Sequence, residues 1–372
     1  MAAVIAAASI FGLSYGLSAP LIAANLAQLG TSTVVIGFNA AMHAVGVLAI
    51  APLLPRFAVA FGARPLMVAG LAMAAAALAI FPLLPVIAVW FVLRLALGVA
   101  AEILFVISET WTNDLADDRT RGRTMAVYTA ALALGFAGGP AILSITGTVD
   151  TAYFVGAAIA LAAIVPVANP WILPPKPTEP ARVQPMQYLG LAPVAVGTAA
   201  LNAAVETAGL SFIALYAAGM GWSEPRALQL VSALMLGAIV MQLPIGWLAD
   251  RVDRRRLAIA LAALATAGAL AWPFMLGHPA VAFTAVFVWG GVFVGIYTVM
   301  LAIVGSRFSG GDLVGMYAIM SLAWGAGALV GPLVAGTAMH ASPMFGLPYA
   351  IAAACAVFAL FAAFARRRDQ AS

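Results

Sequence analysis

Val86 to Asp114 reads VIAVWFVLRLALGVAAEILFVISETWTND, a stretch long and apolar enough to cross a bilayer as one helix. It nevertheless carries Arg94 and Glu102 in its interior and Glu109 near its end. A charge at membrane depth costs about 2.5–3.5 kcal/mol even on lenient insertion scales, so such groups face a protein interior or a watery cavity. At about 100° and 1.5 Å per residue, Glu102 and Glu109 lie about 20° apart around the helix. Arg94 lies about 80° from Glu102 and about 12 Å further along. One face of this helix is polar, and the expectation is that it borders a cavity.

The rest of the chain sets that helix in context. Of 372 residues, 65% are hydrophobic and 8% charged. Soluble domains carry about 25% charged residues, so a soluble protein with a large core is excluded. The charges gather in short clusters between apolar runs, the pattern of an all-α polytopic membrane protein whose first partner is the lipid bilayer. The chain opens on an apolar run without a basic leader, which reads as a first transmembrane helix and not a cleaved signal. The formal net charge of +4 invites a nucleic-acid reading. The basic residues sit in short loops at membrane edges instead, and no nucleic-acid partner is expected. The single cysteine, Cys355, excludes a disulfide framework and a cysteine metal cluster.

Apolar runs fall at about 4–28, 34–54, 65–84, 86–112, 124–147 and 151–172, then at about 188–218, 226–248, 256–276, 279–305, 313–338 and 346–365. Twelve spans put both ends of the chain on one side. With the termini inside, 15 of the 17 Lys and Arg fall in cytoplasmic segments. Arg94 is intramembrane and only Arg226 is outside, so the positive-inside rule assigns cytoplasmic termini.

Between spans six and seven lies a polar segment, 173–187, that contains five prolines and reads as an extended linker on the cytoplasmic side. It separates an N-terminal bundle, 1–172, from a C-terminal bundle, 188–372. The two halves repeat. Gly135-x3-Gly139-Pro140 in span five returns as Gly327-x3-Gly331-Pro332 in span eleven, 192 residues on. The loop Pro55 to Arg64 matches Gly246 to Arg255 at an offset of 191. Parallel repeats of this kind suit two pseudo-symmetric six-helix bundles and a transporter whose site lies between them.

Gly246-Trp-Leu-Ala-Asp250-Arg251-Val-Asp253-Arg254-Arg255 resembles the loop signature of the major facilitator superfamily, with Asp253 standing where the family has a second glycine. The first-half copy keeps Gly62 and Arg64 but has Val59 at the acidic position. Arg94 followed by Gly98 resembles the superfamily's fourth-helix motif. Gly135-x3-Gly139-Pro140 resembles the fifth-helix motif of its proton-driven antiporters, without the trailing glycine pair. Ser108-Glu109-Thr110-Trp111 and Arg121-Gly122-Arg123 are similar to segments of small YcaD-like bacterial permeases. The resemblance implies a central cavity lined by spans one, four, seven and ten. It also implies a latch in which Asp250, with Gly246, Arg251, Arg254 and Arg255, caps a helix of the opposite half through the helix dipole. Gly135, Gly139, Pro140, Gly327, Gly331 and Pro332 allow close helix approach and bending. Ordinary small-residue packing is the alternative for these six, and a solvated loop is the alternative for Asp250 and Arg251.

On the four cavity helices the candidates for substrate binding or proton coupling are Tyr15 and Asn25 in span one, Arg94 and Glu102 in span four, Asn202 and Glu206 in span seven, and Trp289 and Tyr297 in span ten. Ser14 and Ser18 share helical spacing with Asn25. Asn202 and Glu206, four apart, share one face. Glu206 falls opposite Tyr15 in the repeat, and Arg94 opposite Ala285 or Val286, so both charges break the internal symmetry. Each has two readings. Glu206 couples protons or touches substrate, or else makes a buried structural hydrogen bond; Arg94 holds an anionic group or relays protons, or else is scaffold. Glu102 stands evenly between function and charge neutralisation, and Glu109 reads as a loop ion pair near the cytoplasmic edge. Trp289, Phe293 and Tyr297 form a stripe that reads as packing before binding. His43 reads as an interior histidine.

No Walker lysine loop, histidine–glutamate metal motif or nucleophile–base pairing occurs, so no enzyme, no cofactor and no metal are expected. The expected function is secondary active transport of a small hydrophobic or amphipathic organic solute, proton-coupled, by alternating access. Asn25, Asn202 and Gln242 are few for a polyol. The span-five motif favours export. An uptake symporter for a small metabolite and a non-transporting membrane sensor are the alternatives, the second disfavoured by the short tail after Phe364. A monomer is expected to suffice. Sixteen arginines against one lysine point to a GC-rich bacterium and hence its inner membrane.

Overall fold

The structure is a computed structural model and describes residues 2–115, 121–169, 186, 189–308 and 310–371. Among these residues all regular structure is helical. The first half supplies α1 (Ala2–Gln28), α2 (Thr33–Ile50), α3 (Leu54–Phe61), α4 (Ala63–Leu83), α5 (Ile87–Asp114), α6 (Arg121–Thr146) and α7 (Asp150–Ala168). The second supplies α8 (Pro193–Gly219), α9 (Glu224–Val240), α10 (Gln242–Ala249), α11 (Arg254–Met275), α12 (Pro279–Arg307), α13 (Gly310–Ala341) and α14 (Gly346–Ala371). Twelve stretches are long and apolar enough to cross a membrane, with α9 and α10 together forming one of them, Glu224–Ala249. Helices suit this role because lipid offers no partner to a backbone N–H or C=O, so each must be satisfied within its own segment.

Boundaries depart from the apolar runs where local chemistry overrides hydropathy. The seventh span starts at Pro193 and not near 188, because Pro193 lies in the first turn of α8, where a missing N–H removes no intrahelical bond. The second span ends at Ile50, before the separate short helix α3. Gly62 joins α3 to α4 at φ 81°, a conformation open to glycine and strained for other residues. The expected linker 173–187 lies outside the described residues apart from Met186.

The chain forms two compact units, Met1–Thr31 with Asn39–Ala181 and Glu224–Ser232, and Ser32–Phe38 with Arg182–Ser223 and Ala233–Ser372. Within the first unit, Glu224 Oε1 accepts from the Thr148 amide at 2.7 Å and its hydroxyl at 2.6 Å. The Ser232 hydroxyl there donates to the Ala137 carbonyl at 3.2 Å. Within the second unit, the Thr33 hydroxyl donates to the Gly336 carbonyl at 2.8 Å. These bonds account for the two short segments that leave their own half.

Glycine sets the helix pairs. A Cβ on Gly135 would overlap the Ser9 carbonyl oxygen, and one on Gly139 the backbone of Gly16 and Leu17, so α6 lies backbone to backbone on α1. The second unit repeats this: a Cβ on Gly327 or Gly331 would overlap the carbonyls of Ala200 or Ala204, with α13 on α8. The small-x3-small spacing therefore acts as a contact motif in both halves. A second repeated pairing was not singled out from sequence. Gly46 meets the Leu95 carbonyl and Gly98 the His43 carbonyl between α2 and α5; Gly237 meets that of Phe287 and Gly290 that of Leu234 between α9 and α12. Gly46 and Gly237 keep the 191-residue offset, and Gly98 and Gly290 the 192-residue one.

Candidate functional site

Arg94 is 1% exposed, in the third turn of α5. Its Nη1 donates to Ser18 Oγ at 3.4 Å, and its guanidinium carbon stands 5.7 Å from the centre of the Tyr15 ring. Tyr15 in turn lies 4.4 Å from the His43 imidazole, centre to centre, tilted by 34°. Three helices of the first unit meet here: α1 with Tyr15 and Ser18, α2 with His43, and α5 with Arg94. Gly98, one turn beyond Arg94, admits the His43 backbone against α5. The Arg-x3-Gly spacing thus has a local reason, since the glycine is what lets α2 approach the helix that carries the cation.

The polar groups of these three helices are incompletely paired. Arg94 Nε, His43 Nδ1, Asn39 Nδ2 and Ser14 Oγ are buried without a hydrogen-bond partner among the described residues. Buried polar groups are normally paired, so several orphans on α1, α2 and α5 are unusual. No carboxylate lies at ion-pair distance from Arg94 among the described residues. Sequence reasoning read His43 as an interior histidine and passed over Asn39; no local signal marks either, because only tertiary packing brings α2 to α5.

The other candidates of span four stand apart. Glu102 is half-buried and Glu109 exposed, and neither pairs with Arg94, so the reading of Glu102 as a neutraliser of Arg94 finds no contact among the described residues. Asn25 donates to the Tyr153 hydroxyl at 3.0 Å, while Tyr153 stacks on Phe81 at 5.5 Å. Its amide is committed to the packing of α1 on α7.

In the second unit the i, i+4 pair forms as its spacing predicts. Asn202 Nδ2 donates to Glu206 Oε2 at 3.2 Å. Asn202 is buried and Glu206 half-buried. Glu206 has no cationic partner among the described residues. The span-ten aromatics behave as packing: the Trp289 indole donates to the Ala265 carbonyl at 2.8 Å, packs on Trp272 at 4.7 Å and stacks on Phe293 at 5.2 Å. Tyr297 packs against a core built on Met300, Met316 and Ile319.

The Gly246–Arg255 segment is held by its own residues and by a bond to α12. Arg254 reaches the Ala249 and Ala302 carbonyls, both at 3.2 Å, and Asp250 Oδ1 at 3.4 Å. Arg251 lies over the Trp247 ring at 3.8 Å. The Asp250 side chain is 71% exposed. Asp253, the departure from the superfamily's glycine, caps α11: its side chain accepts from the Arg256 amide at 2.7 Å. A Cβ on Gly246 would meet nothing within 4 Å. No group of three His, Cys, Asp or Glu side chains that could hold a metal occurs among the described residues.

The model of the Major Facilitator Superfamily matches residues 4–196 and again 194–372, one match per half. The chain belongs to the Major Facilitator Superfamily. It is 26% identical over 260 residues to the uncharacterized MFS-type transporter YfkF of Bacillus subtilis (strain 168), which covers 68% of this chain and 66% of that protein, just under two thirds of the relative's length. Two solved transporters share the fold. A bacterial homolog of the human lysosomal transporter Spinster, in an inward-facing and occupied conformation, superposes with a TM-score of 0.83 at 12% identity, over 98% of this chain and 96% of that one. The nucleoside transporter NupG superposes with a TM-score of 0.79 at 14% identity, over 97% of each chain. The superfamily member described here is thus a multi-pass membrane protein.

Proposed function

We propose that this chain is a proton-coupled secondary transporter of a small hydrophobic or amphipathic organic solute, working by alternating access, with export as the favoured direction. The observation that carries this reading is Glu206, a partly buried carboxyl whose hydrogen-bond donor is the neutral Asn202 amide. Such an acid can gain or lose a proton without breaking an ion pair, which is what a coupling group requires. Arg94, buried beside Ser18 and Tyr15, is the complementary group for an anionic or strongly polar end of the solute. A planar guanidinium suits a carboxylate or phosphate through paired N–H donors. The span-five motif supports export, and the arginine-rich loops support an inner bacterial membrane with the termini in the cytoplasm. One chain holds both six-helix halves, so a monomer serves as the working unit.

Proteoliposomes test this. Wild type and Glu206→Gln are compared across lipophilic cations, amphipathic anions and small metabolites, with internal pH and solute followed together. Solute-dependent proton movement in wild type alone supports the coupling role. Normal coupled transport by Glu206→Gln sinks it, and solute-driven proton movement of the opposite sense reassigns the direction to uptake.

A further inference from the structure

The short helix α3 lies outside the proposed transport site and carries the first-half copy of the charged 246–255 segment. At the 191-residue offset Val59 stands for Asp250, Ala60 for Arg251, Phe61 for Val252 and Ala63 for Arg254. Charges at three places of the second copy are thus replaced by apolar residues in the first. The helix reads LPRFAVAF, with Arg56 as its one charge and no other polar side chain.

Its packing uses only part of this apolar surface. Leu54 is buried in a core with Ala63, Leu66 and Met67, and Phe57 and Ala58 pack against that core. Arg56 lies about 200° around the helix from Leu54. Leu53 and Val59, three residues to either side of Arg56, complete the exposed row turned away from the core. Val59 is 54% exposed, and Phe61, whose ring stands 6.0 Å from that of Phe57, is 63% exposed. Surfaces that face water avoid contiguous apolar patches, so this one belongs against an apolar partner.

Depth names the partner. The 18 residues of α2 rise about 27 Å and the 21 residues of α4 about 31 Å. The hydrocarbon core of a bilayer is about 30 Å thick, so both spans spend their length in crossing it, and α3 between them lies at its boundary. Arg56 suits that depth, because an arginine stem lies along apolar surface while its guanidinium reaches the phosphates.

We infer that α3 is an interfacial anchor whose partner is the lipid leaflet at that edge. Leu53, Val59 and Phe61 sit at the boundary between headgroups and acyl chains, and Arg56 meets the lipid phosphates. Amphipathic helices bind a membrane surface by this combination of apolar burial and basic charge. The second copy, with Asp250, Arg251 and Arg254 in the corresponding places, stays in water.

Spin labels on the full-length protein, in vesicles of phosphatidylethanolamine and phosphatidylglycerol, test the anchor. Cys355 is replaced by alanine, and a nitroxide is attached through Val59→Cys or through Val252→Cys, the counterpart of Phe61. Collision with oxygen, which partitions into lipid, is compared with collision with a water-soluble nickel chelate. The ratio of oxygen to nickel access at position 59 is expected to exceed that at position 252 about tenfold. Ala60→Cys, at an exposed small residue, supplies the same reading if Val59→Cys does not fold. Nickel access at position 59 equal to that at position 252 puts α3 in water and overturns the proposal. Low access of both reagents at position 59 puts protein against the helix, a second copy or another chain, and overturns it as well.

Discussion

Arg94 in the first half and Glu206 in the second are set on a scaffold that repeats itself, yet neither has a counterpart. The pairing of α1 with α6 returns as α8 with α13, down to the glycines that touch carbonyls. Position 206 corresponds to Tyr15, and position 94 to Ala285 or Val286. The first half buries a cation beside Ser18 and Tyr15, with His43 packed on Tyr15, and Arg94 Nε and His43 Nδ1 are unpaired among the described residues. The second half places an acid beside one amide. Duplication explains where the helices go, and divergence explains what they carry. The glycines at backbone contacts recur in both copies, whereas the positions of Arg94 and Glu206 differ between them.

The sharpest way to break this comparison is through the shared scaffold. Gly139→Leu and Gly331→Leu force a side chain into the backbone of α1 and α8 respectively, and each is expected to destabilise by more than about 3 kcal/mol. Folded yield and melting temperature in detergent check this. Gly246→Ala, where a Cβ meets nothing, should stay within about 0.5 kcal/mol of wild type. Equal tolerance at all three positions contradicts the contact role of the motif.

Glu206→Gln tests the asymmetry next. Coupled transport is expected to fall about a hundredfold or more, the scale on which a positioned proton-transfer group acts. The melting temperature should barely move, because the replacement amide can still accept from Asn202 at a difference of about 1 kcal/mol. A large loss of stability with transport intact would make Glu206 a structural residue.

Arg94→Met separates the two halves from the other side. Replacing a buried cation that has no carboxylate partner among the described residues should raise stability by about 1–3 kcal/mol while binding of anionic solutes is lost. Melting curves with and without solute give both readouts. A destabilised variant with unchanged binding assigns Arg94 to the scaffold. The smallest effect belongs to Asp250→Asn, whose exposed contact with Arg254 contributes less than about 0.5 kcal/mol. If Asp250 is nevertheless the latch, crosslinking between the halves changes while the melting temperature does not.

Much of this protein was legible before any fold was known. Span number follows from apolar length, since a bilayer sets one fixed thickness. The Asn202–Glu206 bond follows from helical spacing alone, because residues four apart face one another whatever surrounds them. The duplication follows from the recurring Gly-x3-Gly-Pro motif and the matching loops at nearly one offset, because close approach of two backbones requires small residues at fixed positions. Asp253 shows the limit of motif reading: it looked like a flaw in a loop signature and is the N-cap of α11.

What only the tertiary structure decided is the company each polar residue keeps. Trp289 was placed with the site by its helix and is packed into α11 by its indole hydrogen bond. Asn25, on the same face as Ser18, turns to Tyr153. His43 reaches the Arg94 region because Gly46 and Gly98 bring α2 and α5 together. Local spacing fixes which residues share a face of one helix. Which face meets which neighbour depends on packing contacts distant in sequence, and the identity of a buried charge's partners is written there.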